Sequence, residues 1–389
     1  MKNELYQETL KKFREHFGCE PELVAYAPGR VEVVGNHTDY NEGYVLSAAI
    51  NYGTFFAIAK NDSTECRLVA GDLMREVCFP VSEPTPSTED TWSNYCKGVL
   101  AGLLPMGDFK VGFKGLFFGD IPQGAGLSSS AALEVTTGLA IAGLYGITAS
   151  KLDFAKIGQK AEHTFAGVKC GLLDQISSLY GAENMLVKTD FRSLDVENVP
   201  LSADCVLLVC KSGAKHALVD GAYNQRREDC EAARDFFKGK LDHKVDALRD
   251  VSWAEWEKYH SEMAERIANR SAHPIGEDER VLKGAELLDK GDTAAFGAMM
   301  FESHESSRKY FENSCEELDV LVEISKSVGG VLGARLSGGG FGGSVVALVK
   351  KDEAESAAKA ISDAYNKHYG RPCEILFIVP SEGARIVNA

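Results

Sequence analysis

Positive charge is scarce in this chain: 42 lysines and arginines stand against 57 aspartates and glutamates over 389 residues, a formal net charge of −15. A nucleic acid or an anionic membrane would call for a basic patch, so neither is expected as a partner, whereas a small ligand in a locally positive pocket stays compatible. The chain also lacks any run of the roughly 18 uncharged apolar residues that a membrane span requires. Its first ten residues, Met1 to Leu10, have no apolar signal core, so a cytoplasmic location is expected. Ten cysteines are present, at 19, 66, 78, 96, 170, 205, 210, 230, 315 and 373, but no C-x-x-C pair or histidine cluster accompanies them. A zinc site is therefore not expected, and the thiols read as reduced and mostly buried.

What is present suits a globular protein, with 44% hydrophobic and 25% charged residues. The length exceeds what one core usually serves, so two domains with a ligand cleft between them are expected. Tyr6, Leu10, Phe13 and Phe17 recur at helical spacing ahead of Gly18. β-rich runs follow at 23–26, 53–59, 67–70 and 77–81, then a helical pattern over 92–104 and a strand over 111–118. Helices are expected over 128–145 and 151–165, strands over 184–188 and 204–210. A charged helical stretch covers 222–329. Strands over 344–349 and 373–379 flank a helix over 352–369. Without regular strand-helix alternation the fold class is α+β, with domains expected over 1–200 and 201–389.

One loop stands out, Pro122-Gln-Gly-Ala-Gly-Leu-Ser-Ser-Ser-Ala-Ala132. Glycines that precede a helix starting in serines supply backbone amides, the positive end of the helix dipole and hydroxyls, which together make a phosphate cradle. The loop carries no G-K-[ST] ending and is not a Walker A motif. The same run also suits a glycine turn with serine N-caps, and local chemistry leaves both readings open.

Three further segments, taken with this loop, decide the reading. They are Ala27-Pro-Gly-Arg-Val-Glu-Val-Val-Gly-Asn-His-Thr-Asp-Tyr-Asn-Glu-Gly-Tyr-Val-Leu46, then Ala161-Glu-His163 leading to Gly167-Val-Lys-Cys-Gly-Leu-Leu-Asp-Gln175, and Gly333-Ala-Arg-Leu-Ser-Gly-Gly-Gly-Phe-Gly-Gly343. With smaller echoes at 92–95, 223–227 and 314–319, their order resembles the GHMP kinases and specifically the galactokinases. The resemblance spans about Ala27 to Val349. It implies a two-domain GHMP kinase fold with the site in the cleft, and an enzyme that uses ATP and Mg²⁺ to phosphorylate the C1 hydroxyl of galactose or a galactose-like sugar. A monomer is expected.

By the same resemblance Asp174 and Arg30 are catalytic, Asp174 as base for the anomeric hydroxyl or as a partner that only orients it. Asn36, His37, Asp39, Gly171, Asp174 and Tyr223 match sugar-binding positions. Gly124, Gly126, Leu127, Ser128, Ser129 and Ser130 match the ATP phosphate loop, with Trp92 beside the adenine, and Ser130 and Glu162 match the Mg²⁺ ligands. Outside this context Asp174 would read as a helix N-cap, Arg30 as a surface ion pair, Glu162 as an exposed helix residue, Trp92 as a core anchor and His37 as a satisfied buried histidine.

The chain departs from the family pattern at a few places. The usual G-E-H-T-D-Y is here Gly35-Asn-His-Thr-Asp-Tyr40, Glu32 replaces the family's Asn, Ser47 replaces its Pro and Leu173 its Met. Galactokinases use the glutamate of G-E-H on the C6 hydroxyl, so an amide at Asn36 opens an alternative, a sugar charged at C6 such as galacturonic acid. A non-catalytic sensor of sugar and ATP is a second alternative, but Arg30, Asp174 and the serine run are all present. Another GHMP branch, such as a mevalonate or homoserine kinase, would leave His37-Thr-Asp-Tyr-Asn41 unexplained.

Overall fold

The computed structural model describes residues 2–122, 124–214 and 219–387; Gln123 of the glycine-serine loop lies outside them. Twelve strands occur among these residues: β1 (Leu23–Val34), β2 (Tyr44–Lys60), β3 (Glu65–Ala70), β4 (Arg75–Pro80), β5 (Phe113–Gly119), β6 (Met185–Asp190), β7 (Val196–Pro200), β8 (Cys205–Lys211), β9 (Val331–Ser337), β10 (Ser344–Lys350), β11 (Glu374–Ile378) and β12 (Arg385–Val387). Eight of them form a sheet in the order β12-β1-β2-β5-β3-β4, with β6 and β7 extending from the Tyr44–Ser47 end of β2. Only the β3–β5 pairing is parallel. The other four form an antiparallel sheet in the order β11-β8-β10-β9.

β1 and β2 are the longest strands because apolar runs cover both faces, and they are buried along nearly their whole length. α1 (Lys2–Phe17) seats Leu10 and Phe13 against Val24, Tyr26, Phe55 and Ala57 on one face. α2 (Ser93–Leu103), α3 (Ser129–Tyr145), α4 (Lys151–Ala161) and α5 (Leu173–Tyr180) cover the other. α4 starts at a reciprocal capping pair between Ser150 and Asp153. α6 (Val219–Lys238), α7 (Trp253–Tyr259), α8 (Glu265–Asp289) and α9 (Thr293–Ser306) follow, then α10 (Glu316–Ser327) and α11 (Ala354–Tyr369) on the far face of the smaller sheet.

The chain changes sheet between Pro200 and Cys205, yet its last strand, β12, returns to pair with Val24–Tyr26 of β1. The two sheets also share a core, in which Val31, Val33 and Leu46 pack with Leu207, Val209, Val346 and Phe296. The ten cysteines are all free thiols; five are buried, four half-buried and Cys78 exposed. Among the described residues no helix is long and apolar enough to cross a membrane.

Several elements exceed the sequence expectation. β1 continues through Pro28-Gly29, with Pro28 still opposite Gly53 and a register shift between Pro28 and Arg30. β9 forms although glycines at 329, 330 and 333 mask its alternation, and the short β7 and β12 have no pattern of their own. α5 was likewise hidden inside a motif, and the helix expected over 151–165 is α-helical to Ala161 and continues as a π-helical turn, Glu162–Ala166.

A buried charged seam joins the sheets. Arg335 of β9 has no exposed surface; its Nη1 donates to Glu32 Oε1 at 3.0 Å and to the Val33 carbonyl at 3.3 Å, and its Nη2 lies 4.0 Å from Glu277 Oε2. Removing one partner of such a group leaves an uncompensated buried charge. Arg335→Met should therefore destabilise the protein by about 3–5 kcal/mol, measured as a lower urea midpoint.

Candidate active site

The glycine-serine loop alternates. Gly124, Gly126 and Ser128 have φ of +69°, +70° and +55°, while Ala125 and Leu127 between them are buried and anchor the loop. Space around Gly124 and Gly126 is open, so these glycines are required for their backbone conformation and not for close packing. Ser128 occupies the N-cap position of α3 but makes no capping bond. Its Oγ donates instead to Asp174 Oδ2 at 2.5 Å. Ser129 and Ser130 open α3, whose first turn presents its unpaired amides to the loop.

Asp174 lies in the first turn of α5, where Leu172 holds the cap position. Its Oδ1 accepts from Arg30 Nε at 2.7 Å and lies 2.7 Å from Arg30 Nη2. Arg30 Nη1 donates to the Gly126 carbonyl at 2.6 Å. One guanidinium therefore ties the carboxylate to the loop, and with a side chain only 11% exposed it is no surface pair.

Asn36, His37, Asp39, Gly171, Asp174 and Tyr223 all line one cavity of about 600 Å³, together with Arg30, Glu32, Gly338 and Gly339. The turn after β1 that carries Asn36 to Asp39 is held from within and from across the seam. Thr38 Oγ1 donates to the Gly35 and Tyr44 carbonyls, and Asn41 Nδ2 to the His37 carbonyl. Glu277 Oε2 accepts from the amides of Gly35 and Asn36 at 3.0 and 3.3 Å.

His37 is 4% exposed and adopts φ +62°. Burial, with the nearby charges of Arg335 and Arg226, pushes its pKa down to about 3, so the ring is neutral. Its Nε2 lies 3.1 Å from the Gly339 carbonyl, which can only accept, so the proton sits on Nε2 and the Tyr40 hydroxyl donates to Nδ1 at 3.0 Å. His37 is thus a satisfied buried histidine and a cavity wall at once.

Burial, then the negative charges of Glu32 and Asp174, push Asp39 up to about 6. A Cβ at Gly171 would collide with the Asp39 carboxylate, so glycine is required at that close approach. Both donors of Asn36 are committed: its Nδ2 donates to Glu32 Oε1 at 3.0 Å and to the Gly338 carbonyl at 2.5 Å, while its Oδ1 accepts from Asn313 Nδ2 at 2.9 Å. The opening for a C6-charged sugar that Asn36 suggested is not favoured, because Glu32 puts a carboxylate directly beside Asn36 in the same cavity. Ser47 is turned to Ser177 at 2.6 Å, and Leu173 is a buried wall residue.

A second cavity, about 270 Å³, has Ser129 and Ser130 at its edge and Trp92, Tyr95, Phe117 and Leu133 among its walls. Trp92 is half-buried and packs on Phe117, ring centroids 5.6 Å apart, so it serves the core and the cavity together. Glu162 is 5% exposed, on the π-turn beyond α4, not on an exposed helix face. Burial and the neighbouring Glu162 push Glu134 up to about 10.

Sequence reading assigned no role to Arg335, Glu277 or Asn313, and noted Glu32 only as a departure. The available signals were a lone arginine between apolar residues of a strand and a glutamate two positions after Arg30 on the same face of β1.

The raised Asp39 carboxyl sets a testable opposition. Its folded pKa lies above the ordinary 3.8, so its cost to stability is absent at low pH, grows between about 4 and 6 and is complete above 6. Asp39→Asn should raise Tm at pH 7.5 by about 1–3 °C and leave it unchanged near pH 4. In the parent, kcat/KM for sugar should fall below about pH 6 as the carboxylate protonates, and the variant should lose that limb.

Three family profiles match the chain: the galactokinase galactose-binding signature over residues 11–60, the GHMP kinase N-terminal domain over 94–182 and the GHMP kinase C-terminal region over 285–367. The galactokinase of Pasteurella multocida is 38% identical over 386 residues, 98% of this chain and 99% of that one. The crystal structure of Lactococcus lactis galactokinase complexed with galactose superposes with a TM-score of 0.90 at 30% identity, covering 98% of this chain and 99% of that one. The mevalonate kinase of Methanococcus jannaschii, at TM-score 0.66 and 18% identity over 93% of this chain and 99% of that one, shares the fold. With the two-lobed fold, the loop at the head of α3 and the Arg30–Asp174 pair in place, these matches show that the chain belongs to the galactokinase family of GHMP sugar kinases.

Proposed function

We propose that the chain transfers the γ-phosphoryl group of ATP to the C1 hydroxyl of galactose. The observation that carries this reading is the Asp174 carboxylate, held on one oxygen by Arg30 and on the other by Ser128, where the larger cavity meets the loop of α3. The Lactococcus relative bound to galactose supports the same sugar here. The Glu32, Asp39 and Asp174 carboxylates suit a neutral polyol better than a charged sugar.

Galactose lies in the larger cavity with its C1 hydroxyl at Asp174. Asp174 accepts that hydroxyl's hydrogen bond and aims its oxygen at the γ-phosphorus, taking the proton as the new O–P bond forms and the bond to ADP breaks. Arg30, already bridging Asp174 and the Gly126 carbonyl, offsets the charge on the attacking oxygen and the phosphoryl group. The amides of Gly124 to Ser130 receive the phosphates, and Trp92 faces the adenine in the smaller cavity.

Ser130 and Glu162 would hold Mg²⁺. The site fits a hard cation: two buried carboxyls, Glu162 and Glu134, stand close enough for one to raise the other's pKa, and no donor among the described residues reaches Glu134 Oε1. When bound, the ion neutralises charge on the β and γ phosphates. The chain is proposed to act as a monomer in the cytoplasm. We set the boundary between the lobes at residue 200, with β12 returning to the first.

ADP release should be fastest with galactose in a panel that includes galacturonate, N-acetylgalactosamine, glucose and arabinose. Asp174→Ala should lower kcat by about 10²–10⁴-fold, and wild-type turnover in that variant would sink the mechanism. Trp92→Ala should raise the KM for ATP about three- to tenfold while leaving the KM for galactose unchanged.

A further inference from the structure

The sugar cavity contains a carboxylate with no assigned task. Glu32 is 5% exposed and lines the cavity two residues beyond Arg30 on β1. Pairing is regular between Arg30↔Ala49 and Glu32↔Ser47, so both side chains lie on one face. Two residues of strand separate their Cα atoms by roughly 7 Å, about the span of a hexose from its C1 hydroxyl to its far end.

Glu32 Oε1 is fully used, accepting from Arg335 Nη1 and from Asn36 Nδ2, each at 3.0 Å. Among the described residues Oε2 receives no hydrogen bond. Asn36 beside it has both N–H groups committed, to Glu32 and to the Gly338 carbonyl. The amide therefore has no donor to offer a sugar, whereas the carboxylate has a free acceptor. Relative to the family's arrangement, with Asn at the first position and Glu four residues later, the two side chains have changed places within one hydrogen-bonded pair.

We propose that Glu32 is the specificity-determining carboxylate of this cavity, its free Oε2 accepting a hydrogen bond from a galactose hydroxyl remote from C1. Arg335 fixes its position, and Asn36 serves as its brace. A ligand that brings an anionic group to that end meets a buried like charge, and one that lacks the hydroxyl leaves Oε2 unpaired. The inference rests on galactose being the substrate.

The test is steady-state kinetics on galactose, 6-deoxygalactose and 4-deoxygalactose, with the parent, Glu32→Gln and the reciprocal Glu32→Asn/Asn36→Glu. Glu32→Gln should raise the KM for galactose about tenfold with kcat within about threefold. That penalty should vanish on whichever deoxy sugar lacks the bonded hydroxyl, a coupling that a purely structural role would not produce. The reciprocal variant, which keeps one carboxylate and one amide in the pair, should return the KM for galactose to within about threefold of the parent, and it serves as the test if Glu32→Gln does not fold. An equal penalty on all three sugars, an unchanged KM, or a folded reciprocal variant with no recovery would overturn the proposal. If the parent itself fails to turn over galactose, the substrate reading is what fails.

Discussion

Arg335 carries a charge where no water reaches it, and the carboxylates that answer it come from distant parts of the chain, Glu32 on β1 and Glu277 on α8. Such a buried arrangement adds little net stability over a well-packed apolar one, since desolvation offsets most of the attraction. What it supplies is position. Glu277 accepts from two consecutive amides of the turn after β1 and from the Ser303 hydroxyl, while also pairing with Arg280. Burial alone would raise its pKa, but the charges of Arg280 and Arg335 outweigh burial and hold it well below the ordinary range. The turn carrying His37 and Asp39 is thus bolted to the second lobe by a charge that stays ionised.

The distribution of charge follows from this frame. The larger cavity, proposed to take the sugar, is lined by Glu32, Asp39 and Asp174 together with Arg30 and Lys169, and Arg30 ties it to the loop. Carboxylates are good acceptors for hydroxyls in fixed directions, which suits a neutral polyol. The glycine-serine loop contains no lysine, so in the proposed function its attraction for anions would come from main-chain amides at the head of α3. Under that reading an acidic protein needs no basic surface to take a polyphosphate.

Much of the fold was legible. α3, β5, β8 and β10 fall within a residue or two of where the sequence placed them, and α1 ends at Phe17 as expected, because each is a clear apolar or amphipathic run with a glycine or polar stop. β9 was not, since its glycines hide the alternation and its burial comes from α9 and the neighbouring strand β10. Nor were β7 and β12, which are strands only because β6 and β1 offer them edges. The candidate site was legible as a set of residues from the motifs. Its internal bonding was not: Ser128, which resembles an N-cap, turns away from that role to hold Asp174.

The sequence alone determined the ordered motifs, the helix that follows a glycine-serine loop and the identity of the residues that meet at the cleft, because these depend on local pattern and residue type. Only the tertiary structure decided which atoms are free to act there. The donors of Asn36 are taken up and Glu32 is left with an open oxygen by an arrangement that includes Arg335 and Gly338, some 300 positions away along the chain. No local pattern encodes that, because a hydrogen-bonding group is used or available according to what the fold brings beside it.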